Sequence, residues 1–468
     1  MVFASTAFLL YFLPVLLAVY FIVPRRYRAL RNAVLLIFSL IFYGYGSAKY
    51  LLLMLFSVTA NYFGGLGAGL CKTRAARRTS LILAVIAGLG SLGYFKYAGF
   101  FSETAHALLP GVPVLSVALP IGISFFTFQG ISYVADVYRG NAAPQKNPFY
   151  VALYISLFPQ LIAGPIVRYT QIEREITDRR ETLHDFSAGI QRFIFGLAKK
   201  MILAGAAGEI ADAVFGTTPS TSLAWLGALA YTAQIYFDFS AYSDMAIGLG
   251  RIFGFRFAEN FNYPYIARTV TDFWRRWHIS LSSWFRDYVY IPLGGSRVSK
   301  GRHILNLLIV WSLTGLWHGA AWNFILWGLW FGVILIAEKY LWGSRLAARP
   351  VLGNIITMLV VVFGWVLFRA DTVGDAIRYL SAMFGVGAAA DNGQSVYYLL
   401  EYLPEWILFI LCALPLRDVL RKRLENTASP FARKAAVWGP KAAAILLLFL
   451  SYIKLSTGSF NPFIYFRF

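Results

Sequence analysis

Charge is scarce in this chain. Of its 468 residues, 14% are Asp, Glu, Lys or Arg, where a soluble protein carries about 25%. Acidic residues are the rarer sign, 22 against 42 basic ones. Cysteine is nearly absent. Cys71 and Cys412 stand in no CxxC pair and near no plausible metal partner, so neither redox chemistry nor zinc is indicated. Cys71, beside Lys72, reads as a palmitoylation candidate or an ordinary packed thiol. No metal cluster, Walker loop, GxSxG elbow or Ser-Lys dyad is found. Internal repeats, heptads and low-complexity tails are missing too. The first apolar run, 8–23, lacks a basic leader and a small-residue cleavage site, and reads as a retained span and not a signal peptide.

What the chain has is apolar length. Hydrophobic residues make up 58%, in runs near ~20 residues, each long enough to cross a ~30 Å hydrocarbon core. The runs are continuous and do not alternate in period two, which excludes a β-barrel. The reading is an all-α polytopic membrane protein of about 11–12 transmembrane helices, with re-entrant and interfacial helices, in one domain spanning 1–468. Expected spans are 6–23, 30–46, 49–70, 80–98, 118–138, 187–206, 222–248, 304–318, 322–338, 352–369, 398–416 and 438–455. The apolar stretch 149–167, broken by Pro159, Gly164 and Pro165, reads as re-entrant, since irregular backbone at membrane depth must be buried in protein or line a cavity. The run 304–338 has no polar centre and would reach ~50 Å as one helix, so it must reverse near 318–323.

The net charge of +20 points to orientation and not to nucleic acid, because no basic patch accompanies a recognition motif. With the N-terminus outside, the loops placed in the cytoplasm hold 33 Lys and Arg, and the outside loops hold 3. That asymmetry implies a multi-pass protein with both termini outside. The stretch 249–303 is basic and aromatic-rich, which suits helices lying in the headgroup plane. The outside loop 371–397 is polar, Gly/Ala-rich and without motifs, a docking surface by location.

Three constellations can carry chemistry. His318 lies in the apolar run 313–332, where an ionisable side chain is a functional-site hypothesis by default. Helical spacing sets Trp311, Gly315, His318 and Trp322 on one face, and Gly315 with Gly319 forms a GxxxG pair that admits a close neighbour. The alternative is a structural histidine bonded to another helix. The second constellation is 272–282. Arg275, Arg276 and His278 can hold an anionic donor head group such as a pyrophosphate, or the segment is an amphipathic helix binding lipid headgroups. The third is 234–244, where Asp238 and Asp244 need partners. They either pair with cations of the cytoplasmic segment or act as acid and base. Asn260 and Asn262 read as helix caps, and Lys199-Lys200 as snorkelling or lining a polar interior. His106, His184 and His303 read as solvated or interfacial.

These residues resemble the membrane-bound O-acyltransferase family, in its bacterial branch of alginate O-acetyltransferase-like proteins. The matching stretches are 124–140, 157–169, 236–250, 261–297, 313–332 and the ending 460–468. RRWHISLSSWFRDYVYIPLGG followed by WHGAAWNF is the most specific part. The resemblance implies a helical bundle around a central tunnel or funnel. Through it a cytoplasmic acyl thioester such as acetyl-CoA meets an acceptor at the outer face, with no resident cofactor or metal. It makes His318 the catalytic histidine and His278 the second signature position, with Arg275, Arg276 and Trp317 at the donor. It also implies a bacterial inner or plasma membrane, a cell-envelope polysaccharide acceptor and an outer-face SGNH-type acyltransferase partner. A sister group moves D-alanine toward teichoic acid from a carrier protein. On that reading His318 acts as general base on an acceptor hydroxyl. The rivals are a lipid or glycan transporter without covalent chemistry and a scaffold for a separate acyltransferase.

Overall fold

The computed structural model describes residues 1–426, 429–457 and 463–464. Of the expected ending motif, only Phe463 and Ile464 are described; the rest lies outside. Among the described residues every regular element is a helix. Six are long and apolar enough to cross a membrane: Arg28–Gly46, Ala48–Leu70, Arg74–Leu108, Trp322–Ala347, Pro350–Arg369 and Lys434–Ser456. The expected span 398–416 is broken into Gln394–Glu401 and Leu403–Ala413, bent by 66°. Pro404 sits in the first turn of the second piece, where it starts a helix but cannot continue the preceding one. Other expected spans, such as Ile123–Arg139 and Thr221–Ile252, are helices of more polar composition. Their Gln129, Asp136, Gln234 and Asp238 are buried in protein, so these helices are not written in a lipid-facing composition.

The chain divides into two compact units, Met1–Ile190 with Met245–Ala258, and Gln191–Asp244 with Glu259–Phe468. In the first, Leu51–Leu70, Arg74–Leu92 and Ile123–Arg139 pack on one another. Thr73 caps the second of these by accepting from the Ala76 amide, satisfying one of the free amides of its first turn. The stretch 149–167 forms two short helices, Pro148–Ser156 and Phe158–Leu161, followed by irregular backbone from 162, and the whole of 153–167 is buried. Protein groups satisfy this backbone: Tyr154 donates to the Val167 carbonyl at 3.0 Å, and the Phe158 amide donates to Ser39 Oγ at 3.1 Å. The re-entrant reading rests on this need. A buried ionic cluster closes the same unit. Glu181 accepts from Tyr20 and Arg28, with Arg31 at 3.0 Å and Arg179 at 3.7 Å.

The second unit is organised by the helical hairpin Lys300–His318 and Trp322–Ala337. Its turn at 319–321 supplies the reversal that the length of the apolar run demands. Glycine makes the hairpin tight. A Cβ on Gly315 would run into the Phe324 carbonyl, and one on Gly328 into the Trp311 carbonyl. Trp322 opens the second helix and is 53% exposed. It does not share the face of His318, because helical periodicity stops where the helix stops. The region 371–397 is not a bare loop. Val373–Met383 is a helix capped by Thr372, and its Ala376 and Tyr379 are buried. Tyr379, Ala382 and Met383 pack with Leu223, Ala224, Val362 and Val366. The Gly/Ala content reads as loop, but those small residues are what let this helix pack.

Of the basic stretch 249–303, the part from residue 259 onward departs furthest from expectation. It folds into the short helices Val270–Arg276 and Ile279–Phe285. Their Phe273, Trp274, Trp277, Trp284 and Phe285 are buried, not laid at a lipid interface. Trp274 meets Trp311 at 4.8 Å, and Trp277 meets Trp365 at 4.8 Å. An aromatic ring suits a headgroup layer or a protein core equally well, and here the tryptophans of neighbouring helices supply the core. Glu338 pins the segment from outside. Its buried carboxylate accepts from the Val270 and Thr271 amides at 2.7 and 2.9 Å, at the positive end of the helix bearing Arg275 and Arg276.

Candidate active site

His318 is the last residue of its helix, ~27 Å from Lys300 along the axis. Its ring is 5% exposed and packs edge-on against Trp317, Trp327 and Phe368 at 5.0, 5.0 and 5.3 Å. The chain then turns extended at Gly319, so the imidazole stands at a helix end and not on a continuous face.

His278 joins the two short helices. Its backbone is left-handed, with φ 44° and ψ 54°, a conformation costly for a residue with a side chain and concentrated at functional sites. The ring is 1% exposed. It stands edge-on to Phe239 at 4.6 Å, 5.9 Å from Trp317 and 6.5 Å from His318 between centroids. The two signature histidines therefore face one another in one unit, with Trp317 against both. It follows that the aromatic stretch reaches the far end of Lys300–His318, and does not run flat beside its basic start. His278 lies outside the six membrane-length helices, and burial pushes its imidazole down to about 3, so the ring is neutral at physiological pH.

Asn260 holds this arrangement, and the helix-cap reading missed it. Its side chain is fully buried. The amide oxygen meets His278 Nδ1 at 3.2 Å, the Ser280 amide at 3.2 Å and Ser280 Oγ at 2.9 Å. Its nitrogen donates to Ser243 Oγ at 3.1 Å, and its backbone carbonyl accepts from the Ile279 amide at 3.0 Å. His278 Nε2 has no hydrogen-bond partner among the described residues. The one available signal in the sequence was an amide in an apolar, aromatic setting, which must find partners when buried.

The other candidates fall elsewhere. Arg275 is exposed. Arg276 pairs with Asp272 at 2.9 Å, one helical turn before it, and donates to the Asn262 carbonyl at 3.3 Å. Asp244 pairs with Arg192 and Lys199 at 2.8 and 2.7 Å, and Asp238 with Lys200 at 2.8 Å. The partners come from 191–204 and not from the aromatic stretch expected to supply them. Asp238 also accepts from the Ile464 amide at 2.8 Å. His303 is not solvated. It is 5% exposed, between Tyr290 and Tyr340 hydroxyls at 2.9 and 2.6 Å. His184 is exposed, and His106 meets the Val112 carbonyl at 2.7 Å. Among the described residues no three His, Cys, Asp or Glu side chains are grouped to hold a metal ion.

An orienting amide, an imidazole with an open nitrogen and a second imidazole across a small gap suit proton transfer at a reacting centre. Comparison with known proteins identifies the family. Residues 141–371, which contain both histidines, match the model of the membrane-bound O-acyltransferase family. The chain is 42% identical over 506 residues to the probable alginate O-acetylase AlgI of Azotobacter vinelandii, covering 100% of both. It is 34% identical to the peptidoglycan O-acetyltransferase of Helicobacter pylori, over 100% of this chain and 98% of that one. It is 30% identical to the teichoic acid D-alanyltransferase of Bacillus subtilis, over 61% of this chain and 76% of that one.

Proposed function

Because the chain belongs to the membrane-bound O-acyltransferase family, in its alginate O-acetyltransferase-like branch, we propose that His318 and His278 carry the transfer of an acetyl group from a cytoplasmic thioester to a hydroxyl of a cell-envelope polysaccharide. That the protein is a multi-pass membrane O-acyltransferase follows from the family, its relatives and its apolar helices. The rival reading as a transporter without covalent chemistry is set aside on the same ground. The observation that carries the proposal is the pair of buried imidazoles facing each other at 6.5 Å.

In the proposed step His318 takes the proton of the acceptor hydroxyl. The oxygen bonds to the acyl carbon, the carbon–sulfur bond breaks, and the thiolate leaves and recovers that proton. General-base catalysis of this kind contributes ~10²–10⁴-fold. Arg275, exposed, and Arg276, beside Asp272, are proposed to meet the phosphates of a coenzyme A donor, since a guanidinium presents a planar fork of donors. Trp317, packed on both histidines, is the proposed wall for the acyl group. The 33-to-3 loop asymmetry supports both termini outside a bacterial inner or plasma membrane, with the donor inside and the acceptor outside. The acceptor is the polysaccharide itself or a serine of an outer-face SGNH-type partner that passes the acetyl group on.

D-alanyl transfer from a carrier protein is the second reading, carried by the partial match to the teichoic acid D-alanyltransferase. The full-length match to proteins named alginate O-acetylases favours acetyl. The test is His318→Ala in cells producing the polymer, with protein level checked in membranes. Loss of polysaccharide O-acetylation is expected, and unchanged acetylation would sink the assignment. Supplying acetyl-CoA labelled in the acetyl group to membranes of the same cells tests the donor.

A further inference from the structure

We infer that Asn260 is a positioning residue for the acyl transfer, holding His278 in the tautomer that carries its proton on Nδ1 and its lone pair on Nε2. The inference rests on the two-histidine reading above and deepens it.

The assignment follows from a group that has no choice. The Ser280 backbone amide can only donate, and it meets the Asn260 side chain at 3.2 Å. The amide atom on that side must therefore be the oxygen. This orientation leaves the amide nitrogen facing Ser243 Oγ at 3.1 Å, where a hydroxyl can accept. The same oxygen lies 3.2 Å from His278 Nδ1. An oxygen acceptor demands a protonated Nδ1, and a neutral imidazole then bears its lone pair on Nε2. Nε2 is the atom left without a partner among the described residues, in a ring 1% exposed. A buried acceptor of this kind costs free energy unless something fills it. A second hydroxyl of the bound acceptor, next to the one that His318 deprotonates, would fill it.

The backbone is clamped by the same residue. Asn260 accepts from the Ile279 amide through its carbonyl and from the Ser280 amide through its side chain. These two bonds fix the two residues that follow the left-handed turn at His278. Such a turn persists only where its surroundings over-determine it. Backbone conformation, ring orientation and tautomer of His278 are thus governed from one residue 18 positions earlier.

The charged groups on the packed elements are already engaged. Asp244, next to Ser243, is held by Arg192 and Lys199, and Asp238, next to Phe239, by Lys200. The titratable ring facing His278 is His318. A carboxylate placed at 260 would be a new charge acting on Nδ1. Asn260→Asp is nearly isosteric, keeps an acceptor at Nδ1 and so keeps the tautomer, but it favours the imidazolium. Asn260→Ala removes the acceptor and opens both tautomers.

The experiment measures acyl transfer by the full chain in membranes given acetyl-CoA labelled in the acetyl group, across pH, with thermal stability of each variant recorded. Asn260→Ala is expected to lower kcat about 10–100-fold with KM for acetyl-CoA little changed. Asn260→Asp is expected to recover most of that loss at every pH above the acidic limb of its rate profile, with that limb moved upward by about one unit. If Asn260→Asp is as poor as Asn260→Ala at every pH, with the limb unmoved, Asn260 is only structural and the inference fails. Wild-type kcat in Asn260→Ala overturns it as well. His278→Ala run alongside separates the two readings: full activity there sinks the two-histidine site itself, whereas loss there with an active Asn260→Ala sinks only the role of Asn260.

Discussion

Gly315 offers the most direct test of how the hairpin sets the position of His318. It lies three residues before the histidine, ~4.5 Å along the axis, at the point where the two helices touch backbone to backbone. A Cβ there would sit about 1 Å too close to the Phe324 carbonyl oxygen. Backbone cannot swing aside as a side chain does, so Gly315→Ala must part the helices by about that amount or tilt one of them. Overpacking of this kind costs about 1–3 kcal/mol of stability. The larger effect falls on chemistry, because displacing a reacting group by ~1 Å costs up to ~10²-fold in rate, or about 2.7 kcal/mol of barrier. Gly301, in the first turn of the same helix, has open space around it, and Gly301→Ala there gains helix propensity at no steric cost. The assay compares kcat for acyl transfer and the thermal midpoint of the solubilised full chain. Gly315→Ala is expected to keep a folded protein and lose roughly 10²-fold in kcat, and Gly301→Ala to match the wild type. Gly328→Ala meets the Trp311 carbonyl from the other side and should act alike, with the double variant less than additive. Wild-type kcat in Gly315→Ala, or an equal loss in Gly301→Ala, would refute the claim that helix separation sets the site.

Two further predictions concern stability. Burial raises the Glu181 carboxyl, but hydrogen bonds from Arg28 and Tyr20 outweigh it and hold the group down to about 2 against an ordinary 4.5. Its contribution, at most about 3 kcal/mol, is complete above about pH 4.5 and fades as pH falls toward 2. Glu181→Gln should flatten the loss of thermal stability over that interval and lower stability at neutral pH; an unchanged acid profile would argue against the cluster. Lys200→Met leaves the buried Asp238 facing a lost cation and should cost about 3–5 kcal/mol, with Asp238→Asn in the same chain restoring part of it, as a double-mutant cycle in denaturant would read.

Much of this architecture was legible because lipid imposes a simple rule on sequence: residues facing hydrocarbon must be apolar for about 20 positions. Arg28–Gly46 and Pro350–Arg369 obey it and were found. The reversal at 319–321 was legible from length alone. The errors share one cause, which is that composition reports what a face tolerates and not what covers it. The mixture of aromatic and basic residues around Trp274 and Trp277 reads as a headgroup layer, yet the covering partners are Trp311, Trp327 and Trp365, far away in sequence. The segment 371–397 reads as loop because it is polar and Gly/Ala-rich, although a small residue such as Ala382 is what a helix needs to pack against Leu223 and Ala224. The site shows the same division. His318 announced itself as an ionisable group in an apolar run. His278 was recognisable as a motif, but its apposition to His318 depends on a left-handed turn that no periodicity encodes. Asn260 carries the weakest signal, yet it makes five hydrogen bonds. A single amide is cheap to mistake for a helix cap, because capping and tautomer control use the same oxygen; only the direction of the Ser280 N–H separates them. In a buried site, therefore, the residues most legible from sequence are those that perform the chemistry, and the residues that aim them become visible through their obligatory donors.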